Sequence, residues 1–155
     1  MLEILMYLFE NYAHEPVEDN ATPTVIREEL MRAGFTEKQV ERAFLWLEGL
    51  AGLERGGSIT VGQPLRSFRI FSAAESAVIG AEEQGLLLYL EQLGVLNCEA
   101  REAVVDRVMA LETDEFDEEK LKWVVLMVLF NQPGAESSYA WMEDFVYDDA
   151  PEWVH

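Results

Sequence analysis

Hydrophobic residues recur at helical spacing through most of the chain. In the first segment, Leu2, Leu5, Met6, Phe9 and Tyr12 fall at i, i+3, i+4, i+7 and i+10. This is the period of one helix face. The opposite side of the segment is apolar as well, so we predict a helix that packs on both sides.

Two further helices are predicted on either side of a short turn. The first covers residues 24–33, and its apolar side chains are expected in the core: Val25, Ile26, Leu30 and Met31. Gly34 suits the left-handed position that ends many helices. Thr36 and Gln39 have the spacing of a capping box that opens a third helix. Helix, glycine-containing turn and helix is the order of a helix-turn-helix motif.

The next segment, residues 52–71, is rich in glycine and contains two short runs of β-prone residues, 58–61 and 67–71. Gly62-Gln63-Pro64 lies between the runs, so we interpret the segment as a β-hairpin. Three helices followed by a hairpin is the order of a winged helix. We therefore predict a winged-helix-like subdomain over residues 1–72.

The remaining residues, 73–155, show helical patterns throughout. Ser72, Asn97 and Asp117 are predicted helix N-caps. Residues 121–130 are apolar on every side except at Lys122, which predicts a central buried helix. A last helix is predicted over residues 137–147. The predicted fold is therefore mostly α: a winged-helix-like N-terminal part (three helices plus a β-hairpin) packed on a C-terminal, acidic helical bundle.

Charge divides the chain unevenly. It has 30 acidic and 11 basic residues, for a net charge of −19. Residues 1–72 carry 7 basic and 11 acidic side chains, for −4, whereas residues 73–155 carry 4 and 19, for −15. A field of this sign repels phosphate backbones and anionic membranes and is compatible with a basic protein partner.

The predicted helix-turn-helix keeps nucleic-acid binding open as an alternative. Base readout needs Arg, Lys, Asn or Gln on the recognition helix, together with basic flanks. The candidate nucleic-acid face consists of Arg27, Arg32, Lys38, Arg42, Arg55, Arg66 and Arg69. Carboxylates at Glu37, Glu41 and Glu48 on the third helix oppose it, so we favour a structural or protein-binding role.

Catalytic and metal-binding patterns are missing from the sequence. It has no glycine-rich phosphate loop after a strand, and no GxSxG or CxxC motif. The acidic residues at 112–119 contain no glycine and are interrupted by Phe116, unlike a calcium loop of the EF-hand type. We expect no enzyme activity, no metal and no cofactor.

The number of cysteines and the lengths of the apolar runs indicate the cellular compartment of the protein. Cys98 alone cannot form an intrachain disulfide, which favours a reducing compartment; we expect a buried structural thiol. The apolar N-terminus lacks a basic n-region and carries Glu3 and Glu10, so we interpret it as a mature helix. No apolar run approaches the roughly 20 residues of a membrane span. We predict a cytoplasmic protein.

The C-terminal residues mix aromatic and acidic side chains. The candidate partner-binding residues are Trp141, Phe145 and Trp153. Two interpretations of the tail remain open: Trp153 docks on the core, or the tail is exposed and binds a basic, apolar groove on a partner.

Several stretches together resemble the bacterial Smg family. They are LMYLFENY at 5–12, AGF at 33–35, LWLEGL at 45–50, FRIFS at 68–72, LLLYLEQLGVLN at 86–97, RE and DRVMAL within 101–111, and LKWVVLMVLFNQPG at 121–134. The resemblance implies a small acidic protein without an established biochemical activity. Genes of the family often lie beside a gene for a DNA-processing protein, which implies a nucleic-acid-related or translation-related context. The family defines no catalytic or binding residues to carry over.

We therefore predict a non-enzymatic cytoplasmic interaction or adaptor protein whose acidic helical surface binds a basic protein partner. The alternative is a winged-helix nucleic-acid-binding protein, or an accessory factor in DNA processing or translation.

Overall fold

The structure is a computed structural model that describes residues 1–12, 22–55, 70–113 and 115–147. Most of these residues lie in eight helices, and none of them lies in a strand. The helices are α1 (Leu2–Tyr12), α2 (Pro23–Arg32), α3 (Glu37–Arg55), α4 (Ala73–Val78), α5 (Ala81–Gln92), α6 (Cys98–Ala110), α7 (Glu118–Phe130) and α8 (Glu136–Tyr147).

The winged-helix prediction is wrong, because the described part of the chain is helical and contains no strand. The first hairpin run, 58–61, and most of the second, 67–71, lie outside the described residues. Ile70 and Phe71, which are described, are not in a strand. Short β-prone runs form a sheet only when they find paired strands and an apolar face to cover, which local propensity does not report. A helical bundle is consistent with the structure.

Helix α3 is longer than predicted. It continues through Gly52 to Arg55, where we expected the glycine-rich hairpin segment to begin. Gly52 is exposed, and a helical glycine costs only about 1 kcal/mol relative to alanine. Leucine, glutamate and arginine follow it, and all three favour helix.

The chain divides into two compact units, Met1–Gly49 and Leu50–His155. The boundary between them falls within α3. The division into subdomains 1–72 and 73–155 stays a prediction.

The first unit has a small apolar core. Its buried side chains are Ile4, Leu5, Leu8, Phe9, Leu30, Val40, Ala43 and Trp46. Leu30 is the only fully buried residue of α2; Val25 and Met31, which we expected in the core, are exposed. The capping box before α3 is confirmed: the Thr36 amide donates to Gln39 Oε1 at 3.0 Å, and the Gln39 amide donates to Thr36 Oγ1 at 3.3 Å.

In the second unit, α7 is the central buried helix, as predicted. Its residues Leu121 and Trp123 through Leu129 are buried, and it packs against α5, α6 and α8. At the end of α7, the Asn131 side-chain amide donates to the carbonyl of Leu50 at 3.3 Å. No helix in the described part of the chain is long and apolar enough to span a membrane.

The predicted N-caps of the second unit are confirmed. Ser72 Oγ accepts from the Glu75 amide at 3.2 Å, Asn97 Oδ1 from the Ala100 amide at 2.8 Å, and Asp117 Oδ1 from the Lys120 amide at 2.9 Å. The prediction that Cys98 is buried is wrong. Cys98 is the first residue of α6 and is exposed.

Candidate functional site

The predicted nucleic-acid face is only partly described. Four of its residues are exposed on α2 and α3: Arg27, Arg32, Lys38 and Arg42. The other three side chains, those of Arg55, Arg66 and Arg69, lie outside what the structure describes. This face therefore stays a prediction.

Carboxylates are interleaved with the basic side chains of α2 and α3. Residues 23–55 contain five basic and six acidic residues, for a net charge of −1. The guanidinium of Arg27 lies over the ring of Phe44, 5.0 Å from its centroid, in a cation–π contact. Phosphate binding depends on an excess of positive charge, which this segment lacks.

The candidate partner-binding residues Trp141 and Phe145 lie one turn apart on α8. Their rings stack, with centroids 5.2 Å apart and planes at 29°. The shared helix face was predicted and is confirmed. Trp141 is 38 % exposed and Phe145 is half-buried. We call these two residues the α8 aromatic pair. The third candidate, Trp153, lies outside the described residues.

Helix α7 contacts the α8 aromatic pair at Phe145. Lys122 Nζ lies 4.6 Å from the centroid of the Phe145 ring and 4.0 Å from Glu118 Oε1. The Lys122 side chain is mostly covered, and its ammonium stabilises the position of the Phe145 ring by a cation–π contact. Trp141 is the more exposed residue of the pair.

Lys122 of α7 contacts the aromatic pair, but the charged residues on the helix that carries the pair are all acidic. Helix α8 carries Glu136, Glu143 and Asp144 and no basic residue. Asp144 is exposed and lies one turn from Trp141. The C-terminal end of a helix also bears partial negative charge. An exposed indole beside carboxylates can stack on a guanidinium or cover an aliphatic stem while the carboxylates pair with the cation.

The opposite flank of α8 is anchored by tyrosines. Tyr147 packs edge-on against Trp123, with centroids 5.7 Å apart, and Tyr139 packs on Phe130 at 5.5 Å. Burial, followed by a hydrogen bond to Glu143, raises the pKa of Tyr139 well above its ordinary value. These contacts hold α8 in place, so that the aromatic pair is displayed from a fixed helix.

Sequence reasoning missed Arg101, a buried cation on α6. Its side chain is only 6 % exposed, and Nη1 lies 2.6 Å from Glu91 Oε1. Its burial could have been predicted from the sequence, because the spacing of i, i+3, i+4 and i+7 is typical of a buried helix face. Arg101 has this spacing with Val104, Val105 and Val108.

The described residues contain no group of three or more His, Cys, Asp or Glu side chains placed to hold a metal ion. Asp114, one member of the acidic segment considered above, lies outside them.

Comparison with known proteins connects the chain to a family. The family model described as "Protein of unknown function (DUF494)" matches residues 1–155. The chain belongs to this family. Among relatives named "Protein Smg homolog", that of Nitrosococcus oceani is 47 % identical over 155 residues, covering 100 % of this chain and 98 % of the relative. That of Vibrio campbellii is 47 % identical over 158 residues, covering 100 % and 99 %.

A third relative, named "Protein Smg homolog", of Shewanella piezotolerans, is 46 % identical over 156 residues, covering 100 % of this chain and 99 % of its own length. The resemblance to the Smg family is thus confirmed over the whole chain. The comparison with solved structures found no match. The family's description assigns no function.

Proposed function

We propose that the protein is a non-enzymatic interaction factor that binds a basic protein partner through the α8 aromatic pair and its flanking carboxylates. The observation that carries this proposal is Trp141, which is 38 % exposed, is stacked on Phe145 and lies one helical turn from the exposed Asp144.

Tryptophan is the residue type best suited to anchor such a contact. It offers a large, stiff apolar surface, and truncation of an anchoring tryptophan commonly costs a complex 2 kcal/mol or more. A partner that covers the exposed 38 % of Trp141 removes that apolar surface from water, which favours binding. Stacking on Phe145 restricts the indole beforehand, which lowers the entropy cost of binding.

Charge supports a basic protein as the partner class. The net charge of residues 73–155 is −15, and within that region all charged residues of α8 are acidic, although Lys122 of α7 contacts Phe145. Complementary charge steers diffusional encounter and makes binding sensitive to salt. The same field opposes nucleic acid.

The test is affinity purification of the tagged full-length chain, with quantitative mass spectrometry of what is recovered. We compare the wild type with Trp141→Ala and with a matched control, Tyr89→Ala. Tyr89 is a 45 % exposed aromatic residue on α5 of the same unit. We expect a basic protein with the wild type and with Tyr89→Ala, a loss of roughly 30-fold in affinity with Trp141→Ala, and release at about 0.5 M NaCl.

Two results would overturn the proposal. One is recovery of the wild-type chain alone at low salt after crosslinking. The other is recovery of the same partner in equal amount with Trp141→Ala.

A further inference from the structure

Trp141 lies on the exposed face of α8, within the second unit. The residues of this face have the spacing i, i+3, i+4, i+7 and i+10; they are Ser137, Ala140, Trp141, Asp144 and Tyr147. The neighbours of Trp141 toward the helix start, Ser137 and Ala140, have small side chains. They leave room beside the indole for a side chain of a partner.

Asp144 adds a carboxylate to this face. It is exposed and lies one turn after Trp141, a spacing that puts the two β-carbons about 5–6 Å apart. Within the described part of the chain, Asp144 has no ion-pair partner, in contrast to Glu91 and Glu102, which both pair with Arg101. One cation from a partner can therefore contact the indole and the carboxylate together.

Lys122 restricts where that cation lies. Its ammonium is 4.6 Å from the centroid of the Phe145 ring, and it repels a second positive charge placed on the same ring. Its own counter-charge, Glu118, lies at 4.0 Å on the same helix. An incoming cation is therefore directed to the indole of Trp141 and to Asp144.

A guanidinium suits this position better than an ammonium. It is planar and weakly hydrated, so it stacks on an aromatic ring at a low desolvation cost. Its N–H groups lie in the same plane and donate to a carboxylate at the edge of the group. An ammonium is compact and strongly hydrated; at an exposed site it pairs with the carboxylate and covers the indole only with its flexible stem.

Two cation–π contacts within the chain show the same difference. Arg27, whose guanidinium lies over the ring of Phe44, is exposed. Lys122, whose ammonium lies over the ring of Phe145, is mostly covered, with 15 % of its side chain exposed. Of these two contacts, the exposed one uses a guanidinium and the covered one uses an ammonium.

We propose that the α8 aromatic pair recognises an arginine of the basic partner in preference to a lysine. The guanidinium stacks on the indole of Trp141 and donates hydrogen bonds to the carboxylate of Asp144. Lysines of the same partner pair with the other carboxylates of α8. This inference rests on the proposed function, since it names the residue type that the same site binds.

The direct test is NMR of the ¹⁵N-labelled full-length chain, in which the indole Nε1–H of Trp141 is identified by its loss in Trp141→Ala. The probes are acetylated and amidated pentapeptides of equal charge, Gly-Gly-Arg-Gly-Gly and Gly-Gly-Lys-Gly-Gly. We expect the Kd of the arginine peptide to be lower than that of the lysine peptide by about two- to fivefold. NOEs should connect the arginine Hδ protons to the indole.

Variants separate this contact from general attraction to an acidic protein. Trp141→Ala should weaken the arginine peptide and leave the two peptides with equal Kd values. Asp144→Asn should weaken the arginine peptide by about two- to fivefold. Because Asp144 is exposed, this variant reports even if Trp141→Ala does not fold. Glu82→Gln, which removes an exposed carboxylate on α5, is the matched control and should leave the preference for arginine unchanged.

Affinity purification with Trp141→Ala measures the proposed function separately. If that variant loses the basic partner while the two peptides bind the wild type equally, the preference for arginine is wrong and the proposed function stands. An arginine peptide that binds the wild type and Trp141→Ala equally, or more weakly than the lysine peptide binds the wild type, also overturns the inference. Recovery of the partner in equal amount with Trp141→Ala contradicts the proposed function, and this inference with it.

Discussion

Tyr12 and Glu29 form a side-chain link between α1 and α2, in which the Tyr12 hydroxyl donates to Glu29 Oε2. This hydrogen bond is the main reason that the pKa of Tyr12 is raised to about 12 from an ordinary 10.0. The bonded carboxylate stabilises the phenol and opposes formation of the phenolate.

The raised pKa gives a pH dependence with a definite sign. Between the two pKa values the unfolded chain binds fewer protons than the folded one, so stability falls as pH rises. The contribution of Tyr12 is fully present below about pH 10 and is lost by about pH 12. We expect urea unfolding of Tyr12→Phe to lack this part of the decline.

NMR titration of ring-labelled tyrosine measures the same pKa directly. In Glu29→Gln the pKa of Tyr12 should fall back toward 10.0, because the charged acceptor is gone. Titration of Tyr12 near its ordinary value in the folded wild type would contradict the assignment.

Arg101 allows a second prediction at the residue scale. Glu91→Gln removes the charge of the closest partner of a guanidinium that is 6 % exposed. We expect it to cost about 2–4 kcal/mol in the free energy of unfolding, because a buried cation loses its counter-charge. Glu102→Gln is the matched control: its carboxylate is 50 % exposed and lies at 3.3 Å, so we expect about 0–1 kcal/mol. If urea unfolding showed that the two variants lower the free energy of unfolding equally, burial of Arg101 would not determine the strength of its ion pairs.

At the scale of the helices, the N-caps depend on local chemistry. Asn97→Ala and Asp117→Ala each remove the acceptor for one free N–H at a helix start. We expect each to lower the free energy of unfolding by about 1 kcal/mol. Asn97→Asp keeps an acceptor oxygen at the same place and should cost much less. A urea midpoint in Asn97→Ala equal to that of the wild type would contradict the prediction.

These caps were predictable because a cap involves residues only three positions apart. The central position of α7 was predictable as well, since a helix that is apolar on all sides has to be buried. The exposure of Val25 and Met31 on α2 could not be read from the sequence, because it depends on which neighbours cover the helix. The hairpin prediction failed for a related reason: strand pairing is a tertiary property that β propensity does not contain.

The burial of Arg101 was hidden by residue type, since arginine is mostly exposed in proteins. Its spacing from Val104, Val105 and Val108, which places all four residues on one buried helix face, was the better indicator of burial. The α8 aromatic pair was predictable from its i, i+4 spacing, whereas the cation–π contact from Lys122 joins two helices and required the structure.

At the scale of the whole molecule, the net charge of −19 is the main electrostatic property. Self-repulsion of this size destabilises the compact state, and salt screens it over a Debye length that falls from about 30 Å at 0.01 M to about 3 Å at 1 M. We expect the Tm to rise by several degrees over this range. Sodium and potassium chloride should act equally, which separates screening from specific ion binding. A Tm that falls or does not change would contradict the expectation.

The central claim is that a basic partner contacts the α8 aromatic pair. Zero-length carbodiimide coupling of the full-length chain to the recovered partner tests this most directly, because it joins only carboxylates and lysines in contact. The account predicts that mass spectrometry will find the partner's lysines joined to Glu136, Glu143 or Asp144, on α8. Coupling confined to Glu28, Glu29, Glu37 or Glu41, on α2 and α3, would contradict it.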